Sequence, residues 1–144
     1  MATVKRTVVI DAPVEKVFNY IADPMNEVQF IPSIVEVSDV TRTETGVGSH
    51  YRWAYKMFGM RFRGESTCTE YVPHERMVTD SRGGIVSTWT YTFQPEDGAT
   101  KMTLTIDYTI PVPVLGKFAE ALVLRQNERE ADLAMANLKA ILEA

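Results

Sequence analysis

The sequence predicts an α+β fold in which one long helix covers a face of an antiparallel sheet. Through the middle of the 144-residue chain, side chains alternate with a period of two, which is typical of strands, and short turns separate the segments. Near the end the period becomes helical, from about Val114 to Ala144. Since no other segment is long enough to cover the sheet, we expect a hollow between sheet and helix, where the function should be sought.

One strand and two short helices open the chain. Thr3–Ile10 is rich in threonine and valine, which favour strands. Asp11 is a suitable N-cap, and Pro13 suits the first position of a helix. Helical spacing follows in four apolar residues, Val14, Val17, Phe18 and Ile21. A second short helix is predicted to reach about Phe30.

Six strands are predicted after the helices. They run from Ile34 to about Thr43 and then over His50–Met57, Met60–Tyr71, Met77–Arg82, Ile85–Phe93 and Lys101–Ile110. The segments between them contain residues that turns prefer, as in Thr45–Gly48, Phe58-Gly59, Pro73–Glu75, Gly83-Gly84 and Pro95–Gly98. Because short turns join antiparallel neighbours, these strands are expected to form an antiparallel meander.

The final helix is expected to bury one face. Steps of 100° per residue place eight apolar side chains on it: Val123, Leu124, Ala131, Ala134, Met135, Leu138, Ile141 and Leu142. Asn127 falls near the centre of this face and Glu128 at its edge, so the face has a polar break. Three apolar residues fall on another side, where the helix is expected either to kink or to pack on the N-terminal helices: Phe118, Leu122 and Leu133.

The composition limits the class of protein and of partner. With 45% hydrophobic and 24% charged residues the chain is expected to be a single globular domain, residues 1–144. Its net charge of −4 argues against a nucleic-acid partner. Cys68, the one cysteine, has no internal disulfide partner and favours a reducing compartment. No apolar run is long enough for stable membrane insertion or typical of a signal peptide, so a cytoplasmic location is expected.

Four segments of the sequence, taken together with this order of elements, resemble the START-like (SRPBCC) superfamily. The likeness is greatest to its polyketide cyclase/dehydrase and lipid-transport branch. The segments are Val9–Phe18, Tyr20–Pro24, Phe30–Pro32 and Asn137–Glu143, and the resemblance covers the whole chain. It is their joint pattern that is specific, since Asp-Ala-Pro alone would be a weak signal.

The resemblance implies the Bet v 1-like helix-grip fold. In that fold a curved seven-stranded antiparallel sheet grips the C-terminal helix and leaves a cavity between them. Members of the superfamily bind sterols, phospholipids, polyketides, plant hormones or ubiquinone-like molecules, and some cyclise or dehydrate polyketides. The superfamily has no universal catalytic residue, so the resemblance assigns none to this chain.

The candidate ligand-binding residues come from strands and final helix together. The inward row of aromatic residues is Tyr51, Trp53, Tyr55, Trp89, Tyr91, Phe93 and Tyr108, with Phe62 on the neighbouring strand. The helix adds Leu124, Asn127 and Ala131. Aromatic rows also build plain cores, but buried Tyr and Trp each need a partner for a polar atom. We therefore expect a partly open pocket, and plain core packing remains the alternative.

Other polar residues are weaker candidates. Arg6 is expected either to clamp a ligand oxygen or to reach back to water. Arg61 and Arg63 are expected on a solvated face. The histidines, His50 and His74, have no partner at a metal-ligand spacing, so neither a metal nor another cofactor is expected, and His74 should be exposed in its turn.

The hairpin tip Met57–Met60 places three large apolar side chains on a turn. Such a tip has several open roles: it gates the pocket, touches a membrane briefly, lies in a homodimer interface, or packs on the final helix.

Two functions from different classes fit the sequence. The favoured one is a non-enzymatic binder, with a hydrophobic small molecule such as a lipid or polyketide held between sheet and helix. The rival is a polyketide cyclase or dehydratase that uses the same cavity. The binder is favoured because no inward carboxylate or histidine suited to proton transfer is evident. Glu70 would overturn this if a β-bulge near the Pro73 turn swung it inward. A protein with a vestigial pocket is the weakest alternative.

Overall fold

The computed structural model describes residues 2–83, 85–109 and 112–144, with side chains from residue 121 onward in the last range. Predictions for Gly84, Ile110 and the side chain of Phe118 lie outside these residues. The strands are β1 (Ala2–Ile10), β2 (Ile34–Thr41), β3 (His50–Met57), β4 (Met60–Val72), β5 (Arg76–Gly83), β6 (Val86–Glu96) and β7 (Ala99–Thr109). The helices are α1 (Val14–Ala22), α2 (Glu27–Phe30) and α3 (Val112–Leu142), with a 3₁₀ turn at Pro24–Asn26.

The seven strands form one antiparallel sheet in the order β1-β7-β6-β5-β4-β3-β2. From β2 to β7 the order in the sheet follows the order in the chain, as a meander requires. The first strand then pairs with the last, with Val4 opposite Ile106. The predicted antiparallel meander is therefore confirmed, and β1 and β2 are its two edges.

The entry to α1 differs from the prediction. Pro13, and not Asp11, occupies the N-cap position, in an extended conformation and without a side-chain cap bond. The Ala12 amide donates to the Ile10 carbonyl at 2.8 Å, and the buried Thr100 hydroxyl donates to the Ala12 carbonyl at 2.8 Å. These bonds turn the chain tightly after β1, so Asp11 lies outside the helix and its amide donates to Glu143 at 2.9 Å.

The core lies between the inner face of the sheet and the helices. Six of the eight residues predicted for the buried face of α3 are fully buried: Val123, Ala131, Ala134, Met135, Leu138 and Leu142. Leu124 and Ile141 are half-buried. Leu122 and Leu133, for which packing on the N-terminal helices was one expectation, are exposed. In the described part of the chain, none of the helices combines the length and apolar character needed to cross a membrane.

A β-bulge in β4 changes which side chains face inward. Cys68 pairs with Thr79 but Glu70 pairs with Val78, so β4 holds one extra residue at this point. The extra residue brings Tyr71 to the inner face, as bulges shift the alternation by one position. Glu70 remains exposed and accepts from Arg76 Nε at 3.0 Å. The expectation that a bulge would bring Glu70 inward is therefore wrong.

Candidate functional site

A pocket of about 290 Å³ lies between the inner face of the sheet and the helices. The end of α1 contributes Ile21 and Ala22, α2 contributes Glu27, and α3 contributes Asn127 and Glu130. Strands β3 to β7 form the wall, and residues 42–46 of the β2–β3 connection border it on one side. The pocket is thus built from elements that are distant in sequence.

Seven of the eleven candidate ligand-binding residues line this pocket: Tyr51, Trp53, Tyr55, Trp89, Tyr91, Tyr108 and Asn127. Their alternate positions on neighbouring strands bring them to one face, as the period of two predicts. Contact between any of them and a ligand stays a prediction.

The other four candidates lie outside the pocket lining. Phe93 packs edge-on against Phe18 of α1, with ring centroids 5.2 Å apart. Ala131 is buried in the core between α3 and the sheet. Phe62 and Leu124 are half-buried and pack against the margin of the core. The alternation of side chains predicts which face of the sheet a residue lies on. It does not predict that α1 covers part of this face, at Phe93, and so limits the extent of the pocket.

Serines satisfy the indole groups of the wall. Trp53 Nε1 donates to Ser66 Oγ at 2.9 Å, and this hydroxyl lies 2.6 Å from Ser81 Oγ. Trp89 Nε1 donates to Ser87 Oγ at 3.2 Å. These small side chains give the tryptophans their hydrogen-bond partners and leave open volume beside the rings.

Glu27 brings a carboxylate into the pocket. It is half-buried, lines the cavity and accepts a short hydrogen bond from the Tyr51 hydroxyl. Burial raises the pKa of Glu27 to about 7, against a smaller lowering by the Tyr51 bond. Burial and then the Glu27 charge raise the pKa of Tyr51. The same two causes raise the pKa of Tyr91.

Glu130 is a second inward carboxylate, on α3. One oxygen accepts from the Ser33 amide at 2.7 Å, and the other accepts a short bond from the Ser33 hydroxyl. Burial raises the pKa of Glu130, while the bonds from Ser33 lower it. Burial, followed by the Glu130 charge, raises the pKa of Tyr55. Glu130 therefore ties α3 to the start of β2.

The prediction that no inward carboxylate is present is wrong, because Glu27 and Glu130 both line the pocket. Glu130 lies three residues after Asn127 and four before Ala134, so the helical periodicity of α3 could have found it. Glu27 opens a helix of only four residues, for which periodicity carries no signal. Only the tertiary structure places it beside Tyr51.

Tyr108 carries a buried hydroxyl that finds no hydrogen-bond partner among the described residues. The residue is 3% exposed and lines the pocket. Burial raises its pKa, and an interaction with the Asn127 side chain, which falls short of hydrogen-bond geometry, lowers it in part. An unsatisfied buried hydroxyl costs about 1–3 kcal/mol of stability. A ligand oxygen that accepts a hydrogen bond from Tyr108 would remove this cost.

The remaining polar candidates lie away from the pocket. Arg6 Nε pairs with Asp132 on α3 at 2.6 Å, and Arg61 pairs with Glu36 on the solvated face at 3.0 Å. His74 is half-buried and packs edge-on to Phe18, so its predicted exposure is wrong. Its φ of +66° lies in the left-handed region. The residues that the structure describes contain no group of three or more metal-ligating side chains.

The hairpin tip is divided between core and solvent. Met57 is buried, whereas Phe58 and Met60 are 53% and 41% exposed. A second, shallower cavity of about 420 Å³ lies beneath the tip and reaches Leu133 and Glu130 of α3. Packing of Met57 is thus one part of its role, and the roles as gate or interface stay predictions.

Comparison with known proteins adds to this geometry. The sequence model of the polyketide cyclase / dehydrase and lipid transport family matches residues 1–143. No curated protein matches the chain.

Solved structures with the same arrangement come from several bacteria. TTHA0849 from Thermus thermophilus has a TM-score of 0.84 and 22% identity, over 96% of this chain and 95% of that one. The Zhui aromatase/cyclase from Streptomyces sp. R1128 has a TM-score of 0.81 and 17% identity, over 99% and 93%. A START superfamily protein from Mycobacterium smegmatis has 0.77 and 19%, over 98% and 97%. These likenesses confirm the helix-grip fold.

Proposed function

Because the chain belongs to the polyketide cyclase/dehydrase and lipid transport family, we propose that its pocket binds one hydrophobic small molecule with a hydrogen-bond-accepting oxygen. The observation that carries this proposal is the Tyr108 hydroxyl, a buried donor that lines the pocket and has no partner among the described residues. A ligand oxygen would remove the cost of that unsatisfied group.

The pocket wall supports a flat, apolar ligand. Trp89 and Tyr91 lie with ring centroids 6.4 Å apart, and Trp53 lines the same cavity. Burial of apolar surface on such rings supplies most of the affinity, while a few polar groups set the orientation. The volume of about 290 Å³ favours a compact ring system, of the polyketide type, over a phospholipid with two acyl chains.

The same proposal extends to the cell compartment and the assembly. Cys68 is a buried free thiol beside the pocket, which suits a reducing cytoplasm. We also propose that the chain acts as a single domain that binds one ligand molecule.

Calorimetric titration with 2-tetralone, a flat bicyclic ketone, tests the proposal. The wild-type protein should bind it with one site. Ile85 lines the pocket, so Ile85→Trp should fill part of the cavity and weaken binding at least about tenfold. Val86 is 53% exposed, so Val86→Trp is the matched control and should bind like the wild type. Equal binding by both variants would show that the ketone does not occupy this pocket.

A further inference from the structure

We propose that Glu27 is a general acid–base group that moves a proton from and to a carbon atom of a bound carbonyl compound, with Tyr51 as its positioning residue. The inference rests on the proposed function, because the compound must occupy the pocket. It goes beyond that function, because binding alone needs no group that exchanges protons.

The position of Glu27 is fixed by its backbone and by one hydrogen bond. The preceding 3₁₀ turn is capped by Asp23, whose side chain accepts from the Met25 amide at 3.1 Å. The Ile31 amide closes α2 with a bond of 2.8 Å to the Glu27 carbonyl. The Tyr51 hydroxyl then holds one carboxylate oxygen. A short helix on a capped turn thus presents this carboxylate in one orientation.

The second carboxylate oxygen of Glu27 is free to react. It accepts no hydrogen bond from the described residues, and Glu27 lines the pocket. Glu130 differs, because Ser33 occupies both of its oxygens. Of the two inward carboxylates, Glu27 is therefore the one that can take a proton from a bound molecule without breaking a structural contact.

The surroundings of Glu27 bring its pKa close to neutral pH. No cation among the described residues forms an ion pair with it, and burial raises its pKa to about 7. A base of this strength can both accept and return a proton at physiological pH. The other titratable or charged groups that line the same pocket are Tyr51, Tyr55, Tyr71, Tyr91, Tyr108, Cys68, Glu130, Arg42 and Glu44.

The chemistry needs no further reagent. The Glu27 carboxylate takes a proton from the carbon next to a carbonyl group, and the C–H electron pair becomes the π bond of an enolate. The Tyr108 hydroxyl, which has no hydrogen-bond partner among the described residues and lines the same pocket, donates to the enolate oxygen as its charge develops. The Glu27 carboxylic acid then returns a proton to carbon, so that the substrate class is a ketone with an acidic C–H bond.

Hydrogen–deuterium exchange of 2-tetralone in D₂O, followed by proton NMR, tests this step. The wild-type protein should exchange the hydrogens next to the carbonyl at least about tenfold faster than buffer alone. Glu27→Gln should reduce the rate to that of buffer while calorimetry still detects binding. The exposed Glu65 of β4 provides a control, and Glu65→Gln should exchange like the wild type.

The pH profile separates an acid–base role from a structural one. The rate should rise with pH through about 7, because the carboxylate is the form that accepts the proton. The Tyr51 hydrogen bond lowers the pKa of Glu27, so Tyr51→Phe should shift the midpoint of the profile to higher pH. A residue that only maintains the fold would lower the rate without moving this midpoint.

The outcomes distinguish the two proposals. Absence of 2-tetralone binding to the wild type would overturn both. Binding with exchange no faster than buffer, or equal exchange by wild type and Glu27→Gln, would overturn the acid–base role alone. If Glu27→Gln does not fold by circular dichroism, Glu27→Asp replaces it, and its shorter carboxylate should exchange more slowly with an unchanged fold. An undiminished rate in Glu27→Asp would then contradict the role.

Discussion

Tyr108 illustrates how a single polar atom can serve binding at the expense of stability. Its hydroxyl is buried in the wall of the pocket, and the described residues offer it no hydrogen bond. Other polar atoms nearby are satisfied, such as Trp53 Nε1 by Ser66. Since unsatisfied buried groups are rare in proteins, this one is best explained by a partner that comes with the ligand.

Removal of this hydroxyl should have opposite effects on folding and binding. Tyr108→Phe should raise the free energy of unfolding of the empty protein by about 1 kcal/mol, because an unsatisfied donor is lost. It should weaken 2-tetralone binding by about 2- to 10-fold, the worth of one hydrogen bond. Urea denaturation and calorimetry measure the two effects.

Tyr20 provides the matched control for that substitution. Its hydroxyl donates to Gln29 at 2.6 Å, away from the pocket lining. Tyr20→Phe should therefore leave binding unchanged and should not stabilise the protein. A Tyr108→Phe variant that binds 2-tetralone as tightly as the wild type would contradict the role of the hydroxyl.

At the scale of elements, the β2–β3 connection defines one border of the pocket. Gly46 in this connection has a φ of +86° and lies directly against the ring of Tyr71, which the β4 bulge turns inward. A Cβ on Gly46 would lie only 2.2 Å from Cγ of Tyr71. The connection and the bulge are thus packed as a pair, and the glycine permits their close approach.

Gly46 and Gly98 have nearly the same positive φ, so a comparison of the two separates the cost of the contact with Tyr71 from the cost of backbone strain. Gly98 has a φ of +85°, but a Cβ there would meet nothing within 4 Å. Gly98→Ala should lower the free energy of unfolding by about 1 kcal/mol, from backbone strain alone. Gly46→Ala should lower it by about 2 kcal/mol more, because Tyr71 must also move. Chemical denaturation gives both values, and equal losses would mean that the contact is not tight.

In the molecule as a whole, the two inward carboxylates, Glu27 and Glu130, make folding sensitive to pH. Burial raises the pKa of Glu27 from 4.5 to about 7, and it also raises that of Glu130. The folded protein therefore binds these protons more tightly than the unfolded chain does. For Glu27 the resulting stabilisation is complete below about pH 4.5 and is lost as the pH rises through about 7.

Comparison of Glu27→Gln with the wild type isolates the contribution of one group. The variant should gain stability relative to the wild type between about pH 4.5 and about pH 8, by at most about 3 kcal/mol. Urea denaturation at several pH values measures this difference. Glu65→Gln, which changes an exposed carboxylate, should follow the wild-type curve. Parallel curves for Glu27→Gln and the wild type would contradict the raised pKa.

Local periodicity in the sequence was sufficient to predict the elements and the faces of the sheet. Alternation along the strands was sufficient to bring Tyr51, Trp53 and Tyr91 to one wall, because a period of two is a local property of extended backbone. Helical periodicity similarly placed Asn127 at the pocket. These are features that depend on neighbours in the chain.

How these faces combine into a site depends on long-range packing. The bulge brought Tyr71 inward and kept Glu70 outside, and α1 covered Phe93 while it left Tyr91 open. A helix of four residues carried Glu27 to Tyr51, 24 positions along the chain. Local periodicity carries no information on such long-range contacts. The chemistry of the pocket, as distinct from its walls, therefore follows from packing between distant segments.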